Sequence, residues 1–211
     1  MSAPGPSRED PAPRPRGGEA RPADLIIIGC SAGGPPALLE ILPRVPRGTT
    51  TTVVVAQHMP RRFTSLFAER LARLCALPVS EPKDGDRLLP GTICIAAGGQ
   101  QTTVERLPPG IVFRVRPRAP SERYAPSADL LMTSVAELFG PRALGILMTG
   151  MGVDGVLGLR AIKERRGRTI AESEETAAVF GMPREAIRAG LVDLVLARPE
   201  IALEMARLCR R

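Results

Sequence analysis

The sequence has no tryptophan, one tyrosine and five phenylalanines in 211 residues. So little aromatic surface offers few platforms on which nucleic-acid bases can stack, which argues against nucleic acid as a partner. Lysine is scarce as well: the net charge of +7 and the pI of about 10.2 are carried almost entirely by arginine. Such a surface attracts anionic partners, and an acidic protein fits it better than a base-stacking ligand does. There is one histidine, His58, and the four cysteines, Cys30, Cys75, Cys94 and Cys209, form no C-x-x-C pair. A zinc site needs several Cys or His ligands at close spacings, so no metal is expected. The cysteines read as reduced, mostly buried thiols of a cytoplasmic protein. No apolar run approaches the roughly 20 residues that cross a bilayer. The N-terminus lacks the apolar core of a secretory signal.

What is present is an ordinary globular balance, 44% hydrophobic and 24% charged residues, in a length that suits one domain. Residues 1–23 are rich in Pro, Arg and Gly and read as a disordered tail, with the domain running from 24 to 211. From Asp24 onward apolar runs alternate with helical patterns. Strands are expected at Leu25–Ile28, Thr52–Ala56, Leu144–Met148, Arg168–Ala171 and Val192–Leu196. Helices are expected after Pro35–Pro36, over Phe63, Leu66, Phe67, Leu71 and Leu74, over Ala128–Phe139, after Pro183 and from Pro199. Between Asp84 and Arg116, Pro-Gly punctuation predicts short strands and a β-hairpin excursion, around 92–116. The alternation predicts an α/β fold: a mainly parallel, doubly wound, Rossmann-like sheet with helices on both faces. Ligands of such sheets gather outside the carboxyl ends of the strands, and three turns lie there: Gly29–Gly34, Gln57–Pro60 and Gly150–Gly155.

The first turn, "LIIIGCSAGG", admits three readings. A dinucleotide cradle needs glycine where Ser31 stands and an acidic residue ending the second strand, which instead ends "VVVAQH". No dinucleotide cofactor is therefore expected. A plain connector is the second reading. In the third, Gly29-Cys30-Ser31-Ala32-Gly33 matches G-x-S-x-G, a strained turn that lifts a serine hydroxyl at the start of a helix. The free N–H groups of that helix start can hold a developing oxyanion. A serine nucleophile needs a base and the base an orienting carboxylate. His58 and Asp154 stand on the other two turns, although each also has a plain structural role, Asp154 as the N-cap of the helix after it. The glycines Gly150, Gly152 and Gly155 around Asp154 permit close backbone approach. The order Ser31, His58, Asp154 is not the Ser–Asp–His order of α/β-hydrolases. Spacing thus carries the reading to a serine hydrolase on a parallel sheet and names no substrate.

The segments "IIIGCSAGG", "VVVAQHMP", "YAPSADLLMTSVAELFG", "ILMTGMGVDGVLGL" and "VFGMPREAI", together and in this order, resemble the catalytic domain of the CheB-type chemotaxis methylesterases. The resemblance runs from about Leu25 to the C-terminus. It implies a Ser31–His58–Asp154 triad, with the backbone N–H of Met151 holding the oxyanion and Ala32, Gly150 and Gly152 supporting the site. It further implies hydrolysis of γ-methyl esters on receptor glutamates, releasing methanol, and deamidation of receptor glutamines. The substrate would be a methylated chemoreceptor helical bundle, met at the edge of a membrane-bound or soluble array. The sequence departs from the family at Ala32, where a hydroxyl residue is usual, at Glu172-Ser173, where Gln-Asp is usual, and near Gln101, where a His is usual. The short N-terminal segment leaves no room for the family's receiver domain, so a stand-alone catalytic domain with a separate regulator in trans is expected. The alternative function is a catalytically weak or inactive receptor-binding module of the same fold.

Overall fold

The computed structural model describes residues 22–209. The expected tail therefore lies outside the described residues, apart from Pro22 and Ala23. Ala23 is buried: its N–H donates to the Leu208 carbonyl at 2.8 Å and its carbonyl accepts the Thr51 hydroxyl at 2.6 Å. Backbone pairing draws it into the packed fold although its composition groups it with the tail.

The chain forms β1 (Leu25–Cys30), α1 (Gly34–Ile41), β2 (Thr52–Gln57), α2 (Arg61–Ala72), β3 (Val79–Ser80) and β4 (Ile93–Ile95). There follow the hairpin β5 (Gln100–Leu107) and β6 (Gly110–Pro117), then α3 (Ala128–Phe139), β7 (Ala143–Leu147), α4 (Val156–Glu164), β8 (Arg168–Glu172), α5 (Met182–Arg188), β9 (Leu194–Leu196) and α6 (Arg198–Leu208). Seven strands make one parallel sheet in the order β3-β4-β2-β1-β7-β8-β9. The central strands are continuous apolar runs because both faces are covered; every residue of β1, β2 and β7 is buried. On one face Ile26, Ile28 and Val55 pack against α1, α2 and α6. On the other, Leu25, Ile27 and Val54 pack against α3, α4, α5 and the hairpin. Each such Leu or Ile contributes about 1.5–3 kcal/mol of apolar burial.

One expectation is corrected here. The segment Ile93–Ile95, assigned above to the hairpin excursion, is a strand of the main sheet, paired with β2 and with the edge strand β3. The hairpin itself is β5–β6. The helix expected over Phe63, Leu66, Phe67, Leu71 and Leu74 is α2, which ends at Ala72; Thr64, Phe67, Ala68 and Leu71 face the core, while Phe63, Leu66 and, past the helix end, Leu74 are exposed.

From β1 the chain runs outward to β2 and β4 on one side, and later returns to β7 on the other. The sheet's topological switch point is therefore between β1 and β7, where two connections leave a crevice at the carboxyl edge.

Candidate active site

All three expected turns open onto this edge. Ser31 follows β1; its N–H donates to the Thr149 carbonyl at 2.9 Å and its own carbonyl accepts the Gly34 N–H at 2.9 Å. None of these bonds uses the hydroxyl. His58 follows β2, and its backbone N–H donates to the Cys30 carbonyl at 3.0 Å, which continues the β1–β2 ladder one step past the strands. The His58 ring lies flat against Tyr124, centroids 4.9 Å apart at 11°. Its Nε2 meets Asp154 Oδ2 at 2.7 Å. An ionised carboxylate only accepts, so Nε2 carries the proton and Nδ1 is left as the basic nitrogen.

Asp154 caps a helix, but not the one that follows it. The N-cap of α4 is Gly155, while the Asp154 carboxylate sits on the N-terminus of α3. There it accepts the Ser127 hydroxyl at 2.9 Å, the Ala128 N–H at 2.7 Å and the Asp129 N–H at 3.0 Å. Asp129 of α3 returns the exchange: its Oδ1 accepts the N–H groups of Gly155 and Gly158, each at 2.8 Å. Two helices thus cap each other, and the α3 helix end favours the negative charge beside His58.

Burial pushes Asp154 toward the neutral form, but the His58 ring and the N–H groups of Asp129 and Ala128 outweigh it and hold the carboxyl below its usual range. Asp129 goes the other way, raised to about 6 by burial, the Asp154 charge adding to the effect against the two N–H groups it accepts. One carboxylate is kept ionised and its neighbour bears the strain.

Asp129→Asn isolates this coupling, since an amide oxygen can still accept the Gly155 and Gly158 N–H groups. A raised carboxyl takes up its proton on folding between its ordinary value of 3.8 and about 6, so its contribution to stability grows as pH falls through that window. The stability of the wild type relative to Asp129→Asn is expected to increase from pH 7 to pH 4.5. Urea unfolding at the two pH values measures it.

The support residues take up distinct places. Gly150 must be glycine: a Cβ there would stand on Met182 Sδ and 2.8 Å from Ser31 Cβ. Its carbonyl accepts the N–H groups of Gly181 and Met182, which pins the loop before α5 beside the nucleophile turn. Gly152, at φ +104°, lies under the Tyr124 hydroxyl. Met151 is 73% exposed at the mouth. Ala32 is exposed, and its carbonyl accepts the Thr149 hydroxyl at 2.8 Å, so the turn is held through its backbone.

The other departures are built into the same framework. Gln101 is buried; its amide donates to the Tyr124 carbonyl at 2.7 Å and accepts the Ser127 N–H at 3.0 Å. It holds the loop that carries the ring under His58 and the hydroxyl on Asp154. Glu172 is fully buried and accepts the Thr149 N–H at 2.8 Å, the Thr176 hydroxyl at 3.0 Å and Arg198 Nε at 3.0 Å. Tyr124 and Ser127 escaped the sequence reading as site residues. Their signals are weak: a lone tyrosine, and a serine at N-cap spacing before an apolar helix.

The fold and the crevice define the class, a Rossmann-like α/β protein with a serine, a histidine and a buried aspartate gathered at the switch point of its sheet. The chain belongs to the CheB methylesterase family, whose profile matches residues 26–205. It is 45% identical over 95% of its length to a protein-glutamate methylesterase/protein-glutamine glutaminase of Geobacter sulfurreducens, of which it covers 53%. It is 40% identical over 99% of its length to one from Myxococcus xanthus, of which it covers 60%. The crystal structure of the Thermotoga maritima CheB methylesterase catalytic domain superposes with a TM-score of 0.84 at 33% identity, covering 88% of this chain and 98% of that one. The chain thus spans little more than half the length of these two curated relatives. Among the described residues no helix is long and apolar enough to cross a membrane.

Proposed function

We propose that the chain is a protein-glutamate methylesterase of the cytoplasm, hydrolysing γ-glutamyl methyl esters on methylated chemoreceptors and deamidating receptor glutamines at the same site. The observation that carries this reading is the 2.7 Å bond between His58 and an Asp154 carboxylate fixed on a helix end, beside the Ser31 turn.

Ser31 attacks the ester carbonyl while His58 Nδ1 takes the hydroxyl proton. Asp154 holds Nε2–H and stabilises the imidazolium that results. The oxyanion of the tetrahedral intermediate is received by the Met151 N–H. Collapse expels the methoxy group, which leaves as methanol with the proton from His58. Water, activated by the same nitrogen, then frees the glutamate carboxylate and restores Ser31. With a glutamine side chain the leaving group is ammonia.

Methanol release from methylated receptor, measured on the wild-type chain, tests the reading. Binding to receptor with no methanol, and no reaction with serine-directed inhibitors, would establish the binding module instead.

Exposed Arg61 and Arg62 open α2 just after His58, and exposed Arg123 lies over the Tyr124 ring at 5.2 Å. This basic surround suits a Glu-rich receptor bundle. The value of kcat/KM on receptor is expected to fall severalfold between roughly 0.05 and 0.5 M salt, as screening shortens the reach of these charges. A small soluble ester should show no such fall. Salt-insensitive activity on receptor would overturn electrostatic docking.

A further inference from the structure

We propose that Gln57 is a positioning residue that sets the separation of Ser31 and His58, through hydrogen bonds from its amide to the main-chain carbonyls of both. The inference rests on the reading of Ser31 and His58 given above.

Gln57 is the last residue of β2, and its Cα partner across the ladder is Cys30, the residue before Ser31. Past this pair the ladder continues by one bond only, from the His58 N–H to the Cys30 carbonyl, and no ladder bond joins Ser31 to His58. The side chain of Gln57, 1% exposed, takes over. Its Nε2 donates to the Ser31 carbonyl at 2.9 Å and to the His58 carbonyl at 2.9 Å. Its Oε1 accepts the Cys30 thiol at 3.1 Å. Burial, reinforced by the nearby Glu172 charge, holds the Cys30 thiol well above its ordinary value, so it stays protonated and donates. Two acceptors on one side and a donor on the other fix which way the amide points.

Space confirms the fit. A Cβ on Gly34, the first residue of α1, would stand on Gln57 Oε1. The helix start next to the nucleophile turn is packed against this amide, and glycine is what lets it approach. Among the hydrogen bonds of the described residues, no other side chain reaches the main chain of both Ser31 and His58. Displacing reacting groups by about 1 Å costs on the order of 10²-fold in rate, which sets the size of the effect.

Gln57→Met keeps the length and volume of the side chain and removes both donors. Gln57→Glu keeps the shape but turns a carboxyl toward two carbonyl oxygens. The experiment measures kcat and KM for methanol release, per site titrated with a fluorophosphonate, alongside the rate of fluorophosphonate labelling and urea unfolding. For Gln57→Met, kcat is expected to fall about 10²-fold with KM within about twofold, and the labelling rate should fall in parallel. Counting only titrated sites removes any loss of folded protein from the comparison. For Gln57→Glu, kcat relative to wild type should rise as pH is lowered, because the protonated carboxyl regains one donor.

A folded variant with kcat within about threefold of wild type would overturn the proposal, as would a raised KM at unchanged kcat. Loss of the fold in both variants would overturn it too, by making Gln57 a residue of the scaffold rather than of the site. Ser31→Ala, run beside them, separates the two ideas. If it still releases methanol, the reading of the site fails; if it is inactive while Gln57→Met matches wild type, only the positioning role fails.

Discussion

Ser31→Ala is expected to lower methanol release from methylated receptor by about 10⁴-fold or more, with kcat rather than KM carrying the loss. The hydroxyl is the only atom removed, and the hydrogen bonds that shape its turn run through the main chain: N–H to Thr149, carbonyl from Gly34 and from Gln57. The fold should therefore be nearly unaffected, with a change in unfolding free energy within about 0.5 kcal/mol, the usual range for substitutions away from buried packing. The remaining groups of the site would still bind the ester and polarise its carbonyl, which leaves a small residual rate over water. Methanol quantified against time, together with a urea midpoint, gives both numbers. A Ser31→Ala chain that is folded and fully active would mean that water is the nucleophile, and the covalent route would be wrong.

Strand ends made the site legible in the sequence. A buried parallel strand is a solid apolar run, so "LIIIGC", "TVVVAQ" and "ALGIL" announce themselves, and the residue types just after them can be lined up on one sheet edge. That alone places Ser31, His58 and Asp154 together. Shorter strands carry too little pattern: Val79–Ser80 has two residues and went unseen, and Ile93–Ile95, bracketed by Pro-Gly and Gly-Gly, looked like part of the neighbouring hairpin. On α2 the helix was legible but its buried face was not. Helical spacing fixes the period of the apolar residues but not the angle at which the helix meets the sheet, and here Phe67 and Leu71 face the core while Phe63 and Leu66 turn to solvent.

The supporting shell was harder to read because it works across the fold. Asp154 looks like a cap for the helix next to it and instead caps α3, some twenty-five residues earlier in the chain, while Asp129 caps α4 in exchange. Gln57 and Gln101 are neutral amides in strands, a residue type that sequence patterns give no chemical meaning. Only burial and the count of bonded partners show that each holds a loop of the site. The residues of the proposed triad are visible at the strand ends of the sequence; the geometry around them is held by tertiary hydrogen bonds between distant elements.

Asp154→Asn should reveal both parts of that geometry at once. The carboxylate accepts four donors: Ser127 hydroxyl and Asp129 N–H on Oδ1, His58 Nε2 and Ala128 N–H on Oδ2. An asparagine has one acceptor oxygen. If its NH₂ replaces Oδ2, it opposes the Ala128 N–H and can satisfy His58 only by accepting nothing and donating to Nε2. The ring proton is then driven to Nδ1, the nitrogen that must receive the Ser31 proton. The expected loss in kcat is about 10⁴-fold, the size of a wrong-tautomer defect in a serine triad. If its NH₂ replaces Oδ1 instead, the Asp129 N–H faces a donor and the α3 end loses part of its cap. Either orientation leaves a buried donor unmatched, so stability at neutral pH should fall by about 1–3 kcal/mol. The pH dependence has a definite sign. Asp154 is held below its ordinary value of 3.8, so its stabilisation is present above that value and is lost as pH falls through its lower native-state value. The stability gap between wild type and Asp154→Asn should therefore be full at pH 7 and shrink in acid below about pH 4, whereas the gap for Asp129→Asn grows as pH is lowered toward 4.5. Opposite slopes from two carboxylates that touch the same helix ends would show which of them the fold keeps charged for His58.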